Sequence, residues 1–296
     1  MMGDIDLHIH SLFSDDGEFT VEELMDKAEA THLKVAAIAD HDSVKAALHM
    51  RQIHRTTAVR WIDAIEISCR YKDRDLHLLG YFIDPTDIRF TRIEEHMRVS
   101  EEKLTEQRLK LLSNHFGFDF PLATLSAFAQ GKILTGERIC EWLLENEENQ
   151  KHTELVPYFP QGSRSDNPMV NFYWDYLSQG KVAYVPSDLP SLQDCIDLIH
   201  TVGGVAILAH PGKNIQEDQP VLDEMLPLGL DGLEVFSSYH SEIQIAFYAA
   251  YAKKHQLSMT CGSDYHGKTK PRIQLGMTHC PMDAEEIMSN LERGHK

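Results

Sequence analysis

The stretch DIDLHIHSLFSDDG, residues 4–17, reads as a β-strand running into an acidic loop. Successive side chains of a strand point to opposite faces, so His8 and His10 share one side while Leu7 and Ile9 take the other. Two neighbouring imidazoles are a poor packing choice, because each carries a polar nitrogen that needs a partner once buried. Metal ligation meets that need, and histidine is the commonest metal ligand. The plainer alternative is a pair of surface histidines on an edge strand.

Moving outward, strand and helix patterns alternate. TVEELMDKAEATH is helical, with Thr20 and Glu23 forming an S/T-x-x-E capping box, and LKVAAIAD is a strand. SVKAALHMRQIHRT is helical; AVRWIDAIEISC and RDLHLLGYFID are extended. From about residue 91 the texture changes to a long charged helix, TRIEEHMRVSEEKLTEQRLKLLSNHFG. Three further helical stretches follow, with no strong strand until about residue 180. Alternation then resumes through VAILAHPG, DGLEVFSSYH and LSMTCGSDYHG to a last helix, DAEEIMSNLERG. Such alternation predicts a parallel α/β sheet or barrel. Here it is discontinuous: residues 1–90 plus 178–296 form one domain, and 91–177 an all-helical insertion.

Composition narrows the class. The 296 residues are 42% hydrophobic and 25% charged, ordinary for a globular protein, and no apolar run is long enough for a bilayer span. No secretory signal is visible, and five scattered cysteines without a C-x-x-C fit reduced thiols; a cytoplasmic location is expected. The formal net charge of −18 disfavours a long duplex nucleic acid as partner.

The polar residues that ask for an explanation sit where strands end. IADHDS carries His41 between Asp40 and Asp42, IDAIEISC carries Glu66 on an apolar strand, and RDLHLLGYF carries His77 among leucines. VAILAHPG ends in His210, and TCGSDYHG holds Asp264 and His266 two apart. In α/β folds the functional face lies at the strand ends, so these groups are expected to converge on one pocket. Imidazole and carboxylate ligands without thiolate favour Mn, Fe or Zn in an exchangeable site over a structural zinc. Three carboxylates, Asp15, Glu66 and Asp264, against about three divalent ions would leave the site locally positive, which suits an anionic substrate such as a phosphate ester.

The ordered set DLHIHSLFSDDG, IADHDS, EIS, HLLGYF, ILAHPG and GSDYHG resembles the PHP (polymerase and histidinol phosphatase) superfamily, over residues 4–89 and about 180–276. The segment GKVAYVPSDLPSLQDCIDLIHTVGGVAILAHPG, preceded by a helical insertion, is similar to its TrpH/YciV-like branch of nucleotide phosphatases and 5′-3′ exonucleases. The resemblance implies a distorted (β/α)7 barrel with an all-helical insertion domain and two to three divalent metal ions. His8, His10, Glu66 and Asp264 would hold one ion. Glu66 would bridge to a second, completed by His77 and His210, and Asp15, His41 and His266 would hold a third. His240 matches a position near the substrate phosphate, where it would protonate the leaving oxygen or bind phosphate; otherwise it is a surface histidine at a helix start. Arg138 stands in TGERIC, where related sequences carry an Arg-Pro-His-like run. It is either a phosphate or base contact or a surface arginine. Asp6, Asp40 and Asp42 are expected to orient ligand imidazoles, with capping or surface charge as the alternative.

The implied activity is hydrolysis of a phosphomonoester, or of the 5′ end of a short nucleotide or oligonucleotide, by attack of metal-bound hydroxide. The partner is then a small phosphorylated molecule, with no membrane. Histidinol phosphate is an alternative substrate. An amidohydrolase-like C–N hydrolase also uses H-x-H on a first strand, and a metal-stabilised interaction module is the non-enzymatic alternative.

Overall fold

The computed structural model of the protein describes residues 3–294. Seven strands follow one another in space as they do in sequence: β1 (Ile5–Ile9), β2 (Val35–Ile38), β3 (Arg60–Tyr71), β4 (Arg74–Tyr81), β5 (Val205–Leu208), β6 (Gly232–Ser237) and β7 (Ser258–Gly262). The ends of the sheet approach each other through a parallel bridge between Ile9 and Tyr265 and a bond from His10 N–H to the Tyr265 carbonyl, 2.9 Å. The result is a nearly closed barrel, distorted because β4 runs antiparallel to both β3 and β5 while the other pairs are parallel. The wholly parallel sheet expected from the alternation is corrected here: only Lys72 and Asp73 separate β3 from β4, too few residues for a crossover helix, so the chain must turn back as a hairpin. The reversal matters for the site. His77 lies early in β4, opposite Ser68 of β3, and so reaches the same mouth as residues that follow the parallel strands.

Helices α1 (Val21–Ala30) and α2 (Lys45–Met50) pack outside β1 to β3. The expected capping box forms at α1: Glu23 N–H donates to Thr20 Oγ1 at 3.2 Å, and Thr20 N–H to Glu23 Oε2 at 2.8 Å. Helix α2 is shorter than its pattern suggests, because residues 51–58 are mostly exposed and give further turns little apolar surface to bury. Helices α3 (Ile88–Phe116), α4 (Leu122–Ala129), α5 (Gly136–Glu145) and α6 (Pro168–Phe172), with a π-helical turn at Tyr173–Leu177, lie between β4 and β5. Among the described residues no strand occurs there. Helices α7 (Leu192–Thr201), α8 (Pro211–Asn214), α9 (Gln219–Met225), α10 (Glu242–His255) and α11 (Ala284–Gly294) complete the outer ring.

Burial divides along α3. Phe90 at its start joins the main barrel core with Tyr81, Ile199, Leu233 and Tyr248. From Leu109 onward its buried residues, Leu112 and Phe116, pack instead with Leu125, Leu143, Phe159 and Phe172 in a separate, aromatic-rich cluster. No helix among the described residues is long and apolar enough to cross a membrane.

Candidate metal centre

The convergence expected from the strand ends is present. His10 follows β1, His41 follows β2, Glu66 lies within β3, His77 within β4, His210 follows β5, and Asp264 and His266 follow β7. Glu66 sits at the middle, fully buried. Its Oε2 lies 3.0 Å from His8 Nε2, 3.2 Å from His10 Nε2 and 3.1 Å from His41 Nδ1. Its Oε1 lies 3.0 Å from His77 Nδ1 and 3.1 Å from His210 Nε2. One carboxylate therefore turns each oxygen to a different group of imidazoles. Asp264 Oδ1 adds 3.5 Å and 3.1 Å approaches to His8 and His10 Nε2.

Except between His210 Nε2 and Glu66 Oε1, this proximity is not hydrogen bonding. His8 Nε2, His10 Nε2, His77 Nδ1, His266 Nε2, Glu66 Oε2 and Asp264 Oδ1 are all buried without a hydrogen-bond partner. Buried polar atoms left this way are costly, and a cluster of them with lone pairs aimed at common points fits divalent cations. Three donor groups have ligand atoms within 4.8 Å of one another: His8, His10, Glu66 and Asp264; His10, His41 and His266; His41, Glu66 and His77.

The surrounding bonds decide which nitrogen of each ring faces inward. Ser14 Oγ donates to Asp40 Oδ1 at 2.8 Å, so its lone pairs accept from His10 Nδ1 at 2.9 Å and from the His41 N–H at 3.0 Å. With Nδ1 engaged by Ser14, Nε2 is the nitrogen that His10 turns to the centre. Glu234 accepts from His8 Nδ1 at 2.9 Å and from the His210 N–H at 2.7 Å, and Asn214 Oδ1 accepts from His210 Nδ1 at 2.9 Å. Tyr239 donates to Asp264 Oδ2 at 2.6 Å and the buried Lys270 ammonium donates to the same oxygen at 2.5 Å. Burial alone would raise the Glu66 carboxyl, yet His8, His77 and His41 hold it well below the ordinary carboxylate value. Asp42, His210 and Asp264 adopt φ values of +53°, +25° and +57°. Such backbone costs about 1–3 kcal/mol per residue and persists where surrounding structure enforces it.

Several sequence expectations need correction. Asp15 is not at the centre: its Oδ1 accepts from the Ile133 N–H of the insertion at 2.9 Å, and burial lifts its carboxyl to about 6. Its neighbour Asp16 takes the place, 3.2 Å from His266 Nε2; His266, His41 and His10 overcome its burial and hold it well below the usual range. Lys132 Nζ grips the same loop through the Ser14 carbonyl at 3.0 Å. His240 is not poised to deliver a proton. Its Nδ1 donates to the Val235 carbonyl at 2.8 Å, its Nε2 accepts from the Gly212 N–H at 2.9 Å, and the ring is buried. Asp6 orients no imidazole; it accepts from the backbone N–H groups of Ser263 and Gly276, at 2.9 and 2.7 Å. Asp42 neither caps α2 nor touches a histidine, and instead accepts from Ser68 N–H and Oγ at 2.8 and 2.9 Å. Asp40 acts on His10, but through Ser14. Arg138 pairs with Glu141 at 2.9 Å and keeps a buried Nε without a partner.

The residues that sequence reasoning passed over are Asp16, Ser14, Asn214, Glu234, Tyr239 and Lys270. Glu234 had a visible signal, a carboxylate inside the apolar run GLEVFS, the same signal that marked Glu66. The others lie in loops or short turns, where spacing carries no facing information.

Comparison with known proteins agrees with this geometry. The chain is 26% identical to the 3′,5′-nucleoside bisphosphate phosphatase of Chromobacterium violaceum, over 94% of this chain and 92% of that protein. It is 29% identical to the 5′-3′ exoribonuclease Rnm of Escherichia coli, over 92% and 87%. A crystal structure from Bifidobacterium adolescentis, described as a metal-dependent phosphoesterase, superposes with a TM-score of 0.75 at 25% identity, covering 98% of this chain and 96% of that one. The PHP domain model matches residues 6–173, more than half of the sequence, and the chain belongs to the PHP domain family.

Proposed function

We propose that this protein is a metal-dependent phosphoesterase that hydrolyses a small phosphorylated substrate of nucleotide type, a phosphomonoester or the 5′ end of a short oligonucleotide. The observation that carries the reading is Glu66, whose two oxygens face two sets of imidazoles in a buried mouth full of unpartnered lone pairs. In this reading His8, His10, Glu66 and Asp264 hold one ion. Glu66, His77 and His210 hold a second, and His41, His266 and Asp16 a third. Mn, Fe or Zn suits this nitrogen–oxygen set. Bound ions would lower the pKa of water and offset the charge of the phosphoryl oxygens.

The chain's own residues supply the order. Asp40 acts through Ser14, and Glu234 and Asn214 act directly, to keep Nε2 of His10, His8 and His210 unprotonated and aimed inward. Tyr239 and Lys270 hold Oδ2 of Asp264 and leave Oδ1 for the centre. With both nitrogens bonded to backbone, His240 braces the loop after β6 against α8. The division into a barrel, 1–90 plus 178–296, and a helical insertion, 91–177, belongs to the same reading, with Arg138 carried toward the mouth on α5.

The test is turnover of nucleoside monophosphates, nucleoside 3′,5′-bisphosphates, histidinol phosphate and short 5′-phosphorylated RNA by the protein loaded with Mn²⁺, with chelated protein as control. Release of phosphate or nucleotide that stops on chelation is expected. Cleavage of amides with no turnover of any phosphate ester would overturn the assignment.

A further inference from the structure

None of the donor groups described above comes from the insertion, yet two of its residues hold the loop that carries one. Lys132 and Ile133 lie in the turn between α4 and α5. Gln130 and Gly131, with φ of +52° and +84°, reverse the chain there, and Leu134 anchors the turn in the aromatic-rich cluster. Lys132 Nζ donates to the Ser14 carbonyl at 3.0 Å and reaches the Gly17 carbonyl at 3.5 Å. The Ile133 N–H donates to Asp15 Oδ1 at 2.9 Å. Two adjacent residues of the insertion thus engage positions 14, 15 and 17. The position they leave is Asp16, whose Oδ2 faces His266 Nε2 and whose Oδ1 is buried without a hydrogen-bond partner.

The choice of acceptors carries the argument. Among the described residues no carboxylate lies within ion-pair distance of Lys132 Nζ, and its ammonium caps two carbonyls instead. A lysine bonded to Asp16 would compete with a cation for that carboxylate. A lysine on the flanking carbonyls fixes the backbone and leaves the charge of Asp16 to the centre. The barrel holds the same loop at Ser14 Oγ and, through Thr269 Oγ1, at the Asp16 carbonyl, 2.6 Å away. A Cβ on Gly17 would lie 1.8 Å from the Ser11 carbonyl oxygen, so the turn closes this tightly only with glycine. Asp264 is aimed by two bonds to its own carboxylate, from Tyr239 and Lys270. Asp16 has no such bond, and its aim depends on where its backbone is clamped.

We infer that Lys132 is a positioning residue for the third ion: by holding the Ser14–Gly17 backbone from the insertion, it aims Asp16 and so sets how tightly the ion at His41, His266 and Asp16 is held. The inference rests on the metal assignments of the reading above and is independent of which ester is cleaved.

The experiment is equilibrium dialysis of the protein against graded Mn²⁺ with elemental analysis, which counts the ions and gives their affinities without any turnover. Wild type is compared with Lys132→Met, Lys132→Arg, Asp15→Ala, Asp16→Asn and the Lys132→Met, Asp16→Asn double variant, with thermal melts in chelator as a check on folding. Lys132→Met should weaken one ion by about tenfold or more, the scale of lost support to a metal ligand, while the other ions keep their affinity. Lys132→Arg, which keeps donors for the carbonyls, should restore it. Asp15→Ala, which removes the acceptor of the Ile133 N–H, should weaken the same ion with the lysine intact, and it reads the grip should Lys132→Met fail to fold. Asp16→Asn should weaken that ion too, and adding Lys132→Met should then cost little more, because the lysine acts through that carboxylate. Unchanged affinities in Lys132→Met or Asp15→Ala, equal weakening of every ion, or additive losses in the double variant overturn the inference and leave the phosphoesterase reading to its own turnover test. No Mn²⁺ bound by wild type overturns both.

Discussion

The barrel mouth and the helical insertion bury their side chains by opposite rules. In the insertion, Leu112, Phe116, Leu125, Leu143 and Phe172 fill a cluster of apolar and aromatic groups. At the mouth, His8, His10, Glu66, Asp264 and His266 are as deeply buried, and several of their atoms have no hydrogen bond. Burial stabilises the first arrangement through the hydrophobic effect. In the second it raises the energy of the apo protein, and cations would repay it. A region that is costly to bury unoccupied is where chemistry is expected. The insertion reaches the acidic loop through Ile133 and Lys132.

This contrast can be broken most sharply at Glu66. Glu66→Gln should lower kcat/KM on a phosphomonoester by about 100–1,000-fold or more, with less metal per chain by elemental analysis and an unchanged circular dichroism spectrum. Retained activity at full metal content would place the chemistry elsewhere. The acidic loop sharpens the comparison next. Asp16→Asn should cost about 10–100-fold in metal affinity or turnover, whereas Asp15→Asn, which keeps an acceptor for the Ile133 N–H, should change turnover only slightly. The reverse order would restore Asp15 to the centre. Glu234→Gln, which keeps the shape but weakens the hold on His8, should act near the lower end of the same 10–100-fold range, read as a weaker apparent Mn²⁺ affinity in titrations of activity. Least effect on chemistry is expected in the insertion. Leu112→Ala should destabilise by about 2–5 kcal/mol in denaturant unfolding, while kcat/KM per folded molecule stays close to wild type. A large loss of rate would mean that the insertion shapes the centre itself.

Much of this was legible in the chain. Period-2 alternation located β1 and put His8 and His10 together, and strand ends carrying His, Asp or Glu identified the mouth. The Thr20–Glu23 capping box marked the start of α1. Such signals are local and repeat with the geometry of one element. Asp15 and Asp16 could not be separated that way. Adjacent residues in a loop have no fixed facing, and the choice was made by Ile133, 118 residues away, whose N–H claims Asp15. His240 illustrates the same limit, because a histidine at a helix start looks reactive until the Gly212 N–H and the Val235 carbonyl are seen to occupy both nitrogens.

The sequence alone determined most element types and the α/β class, and marked most of the candidate donor side chains, because helix and strand periods and ligand chemistry are properties of residue type and spacing; the barrel came from resemblance to a family. Tertiary structure alone decided three things. It chose which of two adjacent carboxylates joins the centre, which nitrogen of each imidazole faces it, and which distant carboxylate, Glu234, steadies His8. Each depends on a hydrogen bond or a charge contact between segments far apart in the chain, and such contacts exist only once the barrel has closed.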